Sequence, residues 1–383
     1  MTVLPRRLVS IDALRGIAAL GVVMYHTNAI PGVDRRLWFG DATDAAMFFG
    51  KFGVWLFFVI SGFCIHLQWV RSAIDPRVPR QTFTAFWKRR IRRLYPPYLV
   101  TLVFYTAVRY HQGVLGADTM SAWTIFLHLF MLQNLDPRTM STMNSIYWTL
   151  AVEEQLYLLY FVFLAVRQRW GWGVTLFVAF AARAAWFALA MVVHRFWGID
   201  IVVTQAAVPQ WAVWILGALA VEATFGVSTL PGAAKNKWVA AALLVAAGVV
   251  AQAEMYWIPI GFAHNLLWFA GDLMWGLAFF VTLNWLVSFE PTWAPAGVPS
   301  AVRTLAAVGL FSYSLYLTHE LVEWYLWPPI AATFHVALPD IVIVAVMVAS
   351  CLVFARVFFE LFEKPFLNRR PVTSLKLAEP AAV

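Results

Sequence analysis

The chain has 383 residues, of which 62% are hydrophobic and only 13% are charged, and its mean hydropathy is +0.71. A soluble domain is nearer half apolar and a quarter charged, so this composition excludes a soluble enzyme, a disordered chain and a disulfide-framed secreted domain. The class that remains is an integral membrane protein that exposes apolar side chains to lipid. The net charge of +8 then indicates basic cytoplasmic loops rather than nucleic-acid binding.

Ten apolar stretches approach the length of about 20 residues that a bilayer span needs. The sequence therefore predicts an all-α bundle of about ten transmembrane helices, at 8–28, 50–70, 94–112, 146–166, 172–194, 204–224, 237–254, 262–287, 302–325 and 338–362. The connection 113–145 is long and holds an apolar patch, Ile125 to Leu132, that is too short to span. We expect an interfacial or re-entrant element there.

Lysine and arginine are distributed unevenly between the two sides of this bundle. Most of the 28 lie on the side of the N-terminus, so the positive-inside rule predicts that both termini are cytoplasmic. Asp12 and Arg15 interrupt the first apolar stretch, which is unlike a cleaved signal, and we expect this stretch to remain as a helix. One transmembrane domain is expected over 1–370, followed by a short cytoplasmic tail over 371–383, with no second soluble domain.

The first span carries ionisable residues, which are costly in lipid and therefore candidates for function. Arg15 and His26 are 11 residues apart, an offset of about 20° and a rise of about 16 Å, so both lie on one face of an unbroken helix. A long donor with an anionic end could reach from Arg15 to His26, whose imidazole is suited to moving a proton near neutral pH. The alternative is a buried histidine that only bonds to a neighbouring helix.

A dense cationic cluster lies where a predicted cytoplasmic loop meets the third span. Arg89 with Arg92, and Arg90 with Arg93, form i, i+3 pairs that can converge on one phosphate-bearing ligand. The same cluster would also serve to anchor a cytoplasmic loop. No Walker motif accompanies it, which argues against ATP as the ligand.

Two adjacent carboxylates, Glu153 and Glu154, open a predicted helix near its outer end. They point about 100° apart, so only one readily faces a given site. One of them could support His26 or an acceptor hydroxyl, or the pair could only favour a helix N-terminus. Ser61 and Gly62, in the second span, permit close helix packing, and no G-x-S-x-G elbow surrounds Ser61.

The remaining polar candidates lie toward the C-terminus. His319 and Glu320 fall in the outer half of their span, where they either line an acceptor site or pair with each other. Glu363 is expected only to end the last span. No residue set has convincing metal-ligand spacing, and we interpret Cys64 and Cys351 as packing residues.

Five motifs, in order from Asp12 to Pro365, resemble the membrane acyltransferase-3 family, which includes bacterial surface-polysaccharide O-acetyltransferases. They are the Arg15-to-His26 spacing, the Phe58-to-Phe63 stretch, the arginine cluster with Leu94-Tyr95-Pro96, the Trp148-to-Tyr157 stretch and the Tyr313-to-His319 stretch. Thr149 stands where the family more commonly has Ser, and Leu156 where it more commonly has Phe.

The resemblance implies a ten-helix transferase that uses cytoplasmic acyl-CoA, commonly acetyl-CoA, and we expect no metal. His26 would be the catalytic base, supported by Asp12 and Glu153. We expect the donor to be bound by Arg15, Arg89, Arg90, Arg92, Arg93, Ser61 and Tyr95, and the acceptor by Trp148, Glu154, His319 and Tyr313. Some members carry a C-terminal extracytoplasmic hydrolase-like domain; without it, we expect the chain to complete the transfer alone or to hand the acyl group to a separate partner.

The expected function is that of an O-acyltransferase of the bacterial inner membrane. It would transfer an acyl group to a hydroxyl of a cell-surface glycan or lipid-linked sugar, either directly or through a covalent acyl-histidine. A secondary transporter or exporter with a buried Asp/Arg/His proton relay is the alternative, although the sequence shows no repeated halves. A scaffold in a glycan-assembly complex is a third interpretation.

Overall fold

A computed structural model of the protein describes residues 8–27, 48–198, 205–259, 262–290, 297–333 and 340–367. These ranges are mostly helical and contain no β-strand, which confirms the predicted all-α membrane bundle. The predicted cytoplasmic tail, 371–383, lies outside the described residues.

Helices of very different lengths make up the described part of the chain. In order they are α1 (Val9–Thr27), α2 (Gly53–Ile74), α3 (Phe83–His111), α4 (Thr119–Leu129), α5 (Tyr147–Trp197), α6 (Ala207–Thr224), α7 (Lys237–Gln252), α8 (Phe262–Phe289), α9 (Ser300–Gly309), α10 (Ser312–Glu320), α11 (Trp327–Thr333) and α12 (Asp340–Phe358). Turns of π-helix follow α7, α10 and α12, at Ala253–Trp257, Leu321–Leu326 and Phe359–Glu363.

Each predicted span overlaps a helix, but the count of ten is not confirmed. Among the described residues, six helical segments are long and apolar enough to cross a membrane, or seven if α9 and the segment after it, bent by 66°, form one span. The arginine cluster lowers the hydropathy of α3, and α7 has only 16 residues. Two predicted spans merge in the 51-residue α5, which breaks at Gly171, where φ is 78°.

The predicted element between the third and fourth spans is the short helix α4. Its first turn is capped by Asp118, whose Oδ1 accepts the backbone N–H of Ser121 at 2.8 Å. The hydroxyl of Tyr98 in α3 donates to the carbonyl of His128 at 2.7 Å and ties α4 to the bundle. With 11 residues, α4 is too short to cross a bilayer.

The first turn of α1 is held by the end of α8. The Glu290 carboxylate accepts the backbone N–H groups of Val9 at 2.8 Å and Ser10 at 3.0 Å. A helix leaves its first N–H groups without intrahelical partners, so this carboxylate satisfies two of them. The start of α1 is thereby fixed relative to α8.

Glycines let the backbones of α1 and α2 pack directly against the backbones of neighbouring helices. A Cβ at Gly309 of α9 would lie 1.9 Å from the carbonyl oxygen of Asp12 in α1. A Cβ at Gly62 of α2 would lie 1.9 Å from the carbonyl oxygen of Trp214 in α6, which confirms the predicted packing role of Gly62. These contacts fix the backbone that carries the polar side chains described below.

Candidate active site

A cavity of about 280 Å³ lies among α1, α2, α3, α5 and α10. Three guanidinium groups, those of Arg15, Arg90 and Arg93, reach its wall together with the carboxylates of Glu153 and Glu363. Apolar side chains complete much of the lining, among them Val54, Phe57, Phe58, Ile60 and Leu150. The cavity therefore offers excess positive charge beside an apolar surface.

Arg15 enters this cavity from α1 and is held by two neighbours. Its Nη1 donates to Asp12 Oδ1 at 3.3 Å, and its Nη2 donates to Cys64 Sγ at 3.0 Å. Because Cys64 also lines the cavity, it belongs to the site and is not only a packing residue. Asp12 acts here as the partner of the guanidinium, at the opposite end of α1 from His26.

The four predicted arginines of α3 divide between the cavity and the rest of the surface. Arg90 and Arg93, one helical turn apart, both line the cavity. The guanidinium of Arg90 also lies over the ring of Tyr157, 5.3 Å from its centroid. Arg92 is exposed, and neither it nor Arg89 is in the cavity lining.

The adjacent acids of α5 face different surroundings. Oε1 of Glu153 accepts the hydroxyl of Ser61 at 2.7 Å and the hydroxyl of Tyr157, and Ser61 in turn accepts Trp214 Nε1 at 3.2 Å. Glu154 is only 6% exposed and lines a much smaller adjoining cavity. Among the described residues, neither of its carboxylate oxygens has a hydrogen-bond partner.

The three aromatic residues predicted to contact ligands are placed differently. Tyr313 lines the main cavity, and its hydroxyl donates to the carbonyl of Leu94 at 2.9 Å. Tyr95 and Trp148 are partly buried against the core and do not line that cavity.

His26 lies near the other end of α1, in a separate hydrogen-bonded cluster. Its Nδ1 is 2.9 Å from the carbonyl oxygen of Val22 and 3.2 Å from His319 Nε2. Its Nε2 is 3.5 Å from Glu320 Oε1. Nδ1 of His319 is 2.9 Å from the carbonyl oxygen of Tyr316.

These contacts assign the protons of the two imidazoles. A ring nitrogen that bonds to a carbonyl oxygen must carry the hydrogen, so Nδ1 of His319 is N–H and its Nε2 accepts. Nδ1 of His26 is N–H for the same reason, since it faces Val22 and the lone pair of His319. The lone pair of neutral His26 is therefore on Nε2.

Glu320, and not Asp12 or Glu153, is the carboxylate beside His26. It is 4% exposed and is held by Ser145, whose backbone N–H donates to Oε2 at 3.2 Å and whose hydroxyl donates to Oε1. His319 and Glu320 do not form the pair that the sequence left open, because consecutive side chains of a helix point about 100° apart.

Tyr316 and Thr149 form a wall between the cavity and the histidine cluster. Both line the cavity, and their hydroxyls are hydrogen-bonded at 2.7 Å. The ring centroid of Tyr316 is 5.9 Å from that of Phe57 on one side and 5.9 Å from that of His319 on the other. His26 itself does not line the cavity.

The sequence interpretation missed one cavity residue at the end of the last span. Glu363 was expected to be only a helix end, but it lines the cavity. Its Oε2 accepts the hydroxyl of Ser314 at 2.6 Å and the backbone N–H of Ser314 at 3.2 Å. Its position close to Lys364 and Pro365 in sequence gave no signal of this contact with α10.

Comparison with known proteins gives one family match over most of the chain. The family model described as an acyltransferase domain matches residues 8–358. No solved structure matches significantly. Within the described residues, no group of three or more His, Cys, Asp or Glu side chains is placed to hold a metal ion.

Several curated relatives share part of this sequence. An O-acetyltransferase OatA of Staphylococcus aureus is 29% identical over 164 residues, 41% of this chain and 24% of that protein. A peptidoglycan O-acetyltransferase OatA of Listeria monocytogenes is 30% identical over 174 residues, 42% and 25% of the two chains. A putative peptidoglycan O-acetyltransferase YrhL of Bacillus subtilis is 30% identical over 177 residues, which are 42% of this chain and 24% of that protein. The matched segment spans about a quarter of the length of these relatives.

Proposed function

The chain belongs to the acyltransferase-domain family that its residues 8–358 match, and from this premise we propose that it is a membrane O-acyltransferase. It transfers an acyl group, which we propose to be acetyl, from cytoplasmic acyl-CoA to a hydroxyl of a cell-surface glycan or lipid-linked sugar. The observation that carries the proposal is the arginine-lined cavity at one end of α1 and the histidine with a free ring nitrogen near the other. The names of the relatives support acetyl as the group and peptidoglycan as an acceptor class.

The cavity suits an anionic donor with a long arm of mixed polarity. Arg90 and Arg93 reach it from α3 and Arg15 reaches it from α1, and guanidinium forks bind phosphate oxygens in pairs. The apolar residues of the lining suit the methylene groups of the chain that joins the phosphates of CoA to its thioester, and the hydroxyls of Ser61 and Thr149 suit its amides. Because these arginines lie toward the Lys/Arg-rich side of the bundle, the donor enters from the cytoplasm, and the proposed location is the bacterial inner membrane.

The chemistry assigned to His26 follows from its proton positions. Nε2 removes the proton of the acceptor hydroxyl, whose oxygen attacks the thioester carbonyl carbon. The C–S bond breaks, and CoA leaves as a thiolate that takes up a proton. His319 keeps the lone pair of His26 on Nε2 by accepting from Nδ1. An acyl-His26 intermediate would form on the same nitrogen.

The test is an assay of the purified protein in lipid nanodiscs with acetyl-CoA and an N-acetylglucosamine oligomer. We expect acceptor-dependent release of CoA, and acetylated oligomer detected by mass spectrometry. His26→Gln should lower kcat by about 10²–10⁴-fold, the usual contribution of a general base. The control is His264→Gln, since His264 pairs with Glu254 and lies outside both clusters.

Two outcomes would contradict the proposal. Unchanged turnover in His26→Gln would remove the assignment of the base. Movement of the oligomer or of an acyl group into sealed proteoliposomes, without release of CoA, would instead favour a transporter.

A further inference from the structure

We propose that Glu320 is the positioning residue of the His26 base, an inference that rests on the proposed transferase function. The carboxylate lies 3.5 Å from His26 Nε2, the only ring nitrogen in the pair of imidazoles that is left to accept a proton from a substrate. It acts through His26 by orienting the ring and by stabilising the imidazolium that forms when the acceptor hydroxyl loses its proton.

The proton positions decide how the two groups interact. Carboxylate oxygens only accept, and Nε2 of neutral His26 also only accepts, so no hydrogen bond joins the two groups in the resting state. Once Nε2 has taken a proton, the same contact becomes a charge-assisted hydrogen bond. The interaction is therefore stronger after proton transfer than before it, as transition-state stabilisation requires.

The carboxylate is built into place for this contact. Glu320 is 4% exposed, and its two oxygens are bonded to the backbone N–H and the hydroxyl of Ser145. A buried carboxylate costs several kcal/mol unless it is paired and hydrogen-bonded. Those bonds hold Glu320 beside His26, but they do not neutralise its negative charge. The positive charge that does so appears when His26 becomes an imidazolium.

Other acids near this region have different partners. Glu323, one turn farther along, accepts the hydroxyl of Thr27 at 2.6 Å and contacts the thiol of Cys351 at 3.9 Å. Glu153 bonds to Ser61 in the cavity. Glu320 is thus the carboxylate within salt-bridge distance of His26 among the described residues.

Several other titratable groups face this pair and must be counted in any pH experiment. They are His319 on α10, Glu323 and Tyr325 on the turn after it, Tyr25 on α1, Tyr105 on α3, Tyr147 on α5, Tyr316 on α10 and Cys351 on α12. Lys51, on the turn packed against α1, interacts with Glu254 and Asp272 instead. None of these groups forms an ion pair with His26 in the part of the chain that the structure describes, whereas the carboxylate of Glu320 lies within 4 Å of its Nε2.

The experiment measures kcat/KM against pH for acetyl-CoA and an N-acetylglucosamine oligomer, with Glu320→Gln and Glu323→Gln compared in nanodiscs. For Glu320→Gln we expect a plateau about 10–100-fold lower, the range of one charge-assisted hydrogen bond. We also expect the acid-side midpoint to move about one unit to lower pH, because loss of the negative charge favours neutral His26. In Glu320→Asp the pH of this midpoint should return part of the way to that of the unmodified protein. In Glu323→Gln it should not change.

The pH profiles of these variants distinguish a positioning role of Glu320 from a purely structural one. A lower plateau with an unmoved midpoint in Glu320→Gln would mean a purely structural role and overturn the proposal. Ser145→Ala keeps the charge but frees the carboxylate, so a smaller shift in the same direction supports the proposal even if Glu320→Gln folds poorly, and no shift contradicts it. Absence of CoA release by the unmodified protein at every pH would instead refute the proposed function.

Discussion

The two ends of α1 serve different purposes although one helix builds both. At the Arg15 end, three guanidiniums and two carboxylates surround an open volume of about 280 Å³. At the His26 end, imidazoles, carboxylates and hydroxyls are bonded to one another, and His26 is 13% exposed. The first arrangement suits the binding of a large anion, and the second suits the transfer of a single proton.

The difference shows how a rigid helix can separate binding from chemistry. Backbone contact at Gly309 and the cap from Glu290 fix α1, so the spacing of Arg15 and His26 is set by helix geometry, about 16 Å of rise. Under the proposed function, a donor bound at the Arg15 end must bring its thioester past Tyr316, whose ring lies next to Phe57 of the cavity and next to His319.

Removing Arg90 and Arg93 from the cavity should weaken donor binding strongly and leave the histidine cluster intact. For the double variant Arg90→Ala/Arg93→Ala we expect the Kd for CoA to rise about 100-fold, since each charge-assisted contact contributes about 1.5–3 kcal/mol and neighbouring contacts are not fully additive. Isothermal titration with CoA in nanodiscs measures this.

The matched control for that pair is Arg92→Ala. Arg92 belongs to the same cluster but is exposed and does not line the cavity, so its Kd for CoA should change less than threefold. Equal losses in Arg92→Ala and in the double variant would show that the cluster acts through general positive charge and not through the cavity.

Much of this arrangement could be predicted from the sequence, because it depends on local periodicity. Apolar stretches located the helices, and the 3.6-residue repeat correctly placed Arg90 with Arg93 on one face of α3. The repeat could not decide which face of α3 meets α1. That choice depends on packing between helices far apart in sequence.

The carboxylates show the limit more clearly. Glu153 and Glu320 were both candidates, but only the folded chain brings Glu320 to His26, 294 positions away in sequence, and Glu153 to Ser61. Glu363 was missed because a helix-ending motif does not show that the π-helical turn Phe359–Glu363 packs against Ser314 of α10. The predicted count of ten spans is not confirmed where a helix is long but not uniformly apolar, as in the arginine-rich α3.

Separating α1 from α9 should weaken both ends of the site together. In Gly309→Ala the added methyl would lie 1.9 Å from the carbonyl oxygen of Asp12, so the helices must move apart, at a cost of about 1–3 kcal/mol. Thermal unfolding in detergent should show a lower midpoint. Gly173→Ala is the control, because a Cβ there meets no atom within 4 Å and alanine is the better helix former. A midpoint in Gly309→Ala equal to that of Gly173→Ala would show that this close contact does not hold α1.

Replacing Tyr316 by a small side chain should open a connection between the cavity and the histidine cluster. Tyr316→Ala removes the ring that lies between Phe57 and His319, so water can pass from the cavity toward the base. We expect acceptor-independent release of CoA from acetyl-CoA to rise several-fold relative to the acceptor-dependent rate. Tyr316→Phe keeps the ring and loses the hydroxyl, with its 2.7 Å bond to Thr149 and its longer contact, 3.4 Å, with the carbonyl oxygen of Ile146. One such bond contributes about 0.5–1.5 kcal/mol, so the ratio for Tyr316→Phe should stay closer to that of the unmodified protein. If Tyr316→Ala leaves the ratio unchanged, the donor reaches His26 by a route that this wall does not control, and the separation of the two ends must lie elsewhere in the bundle.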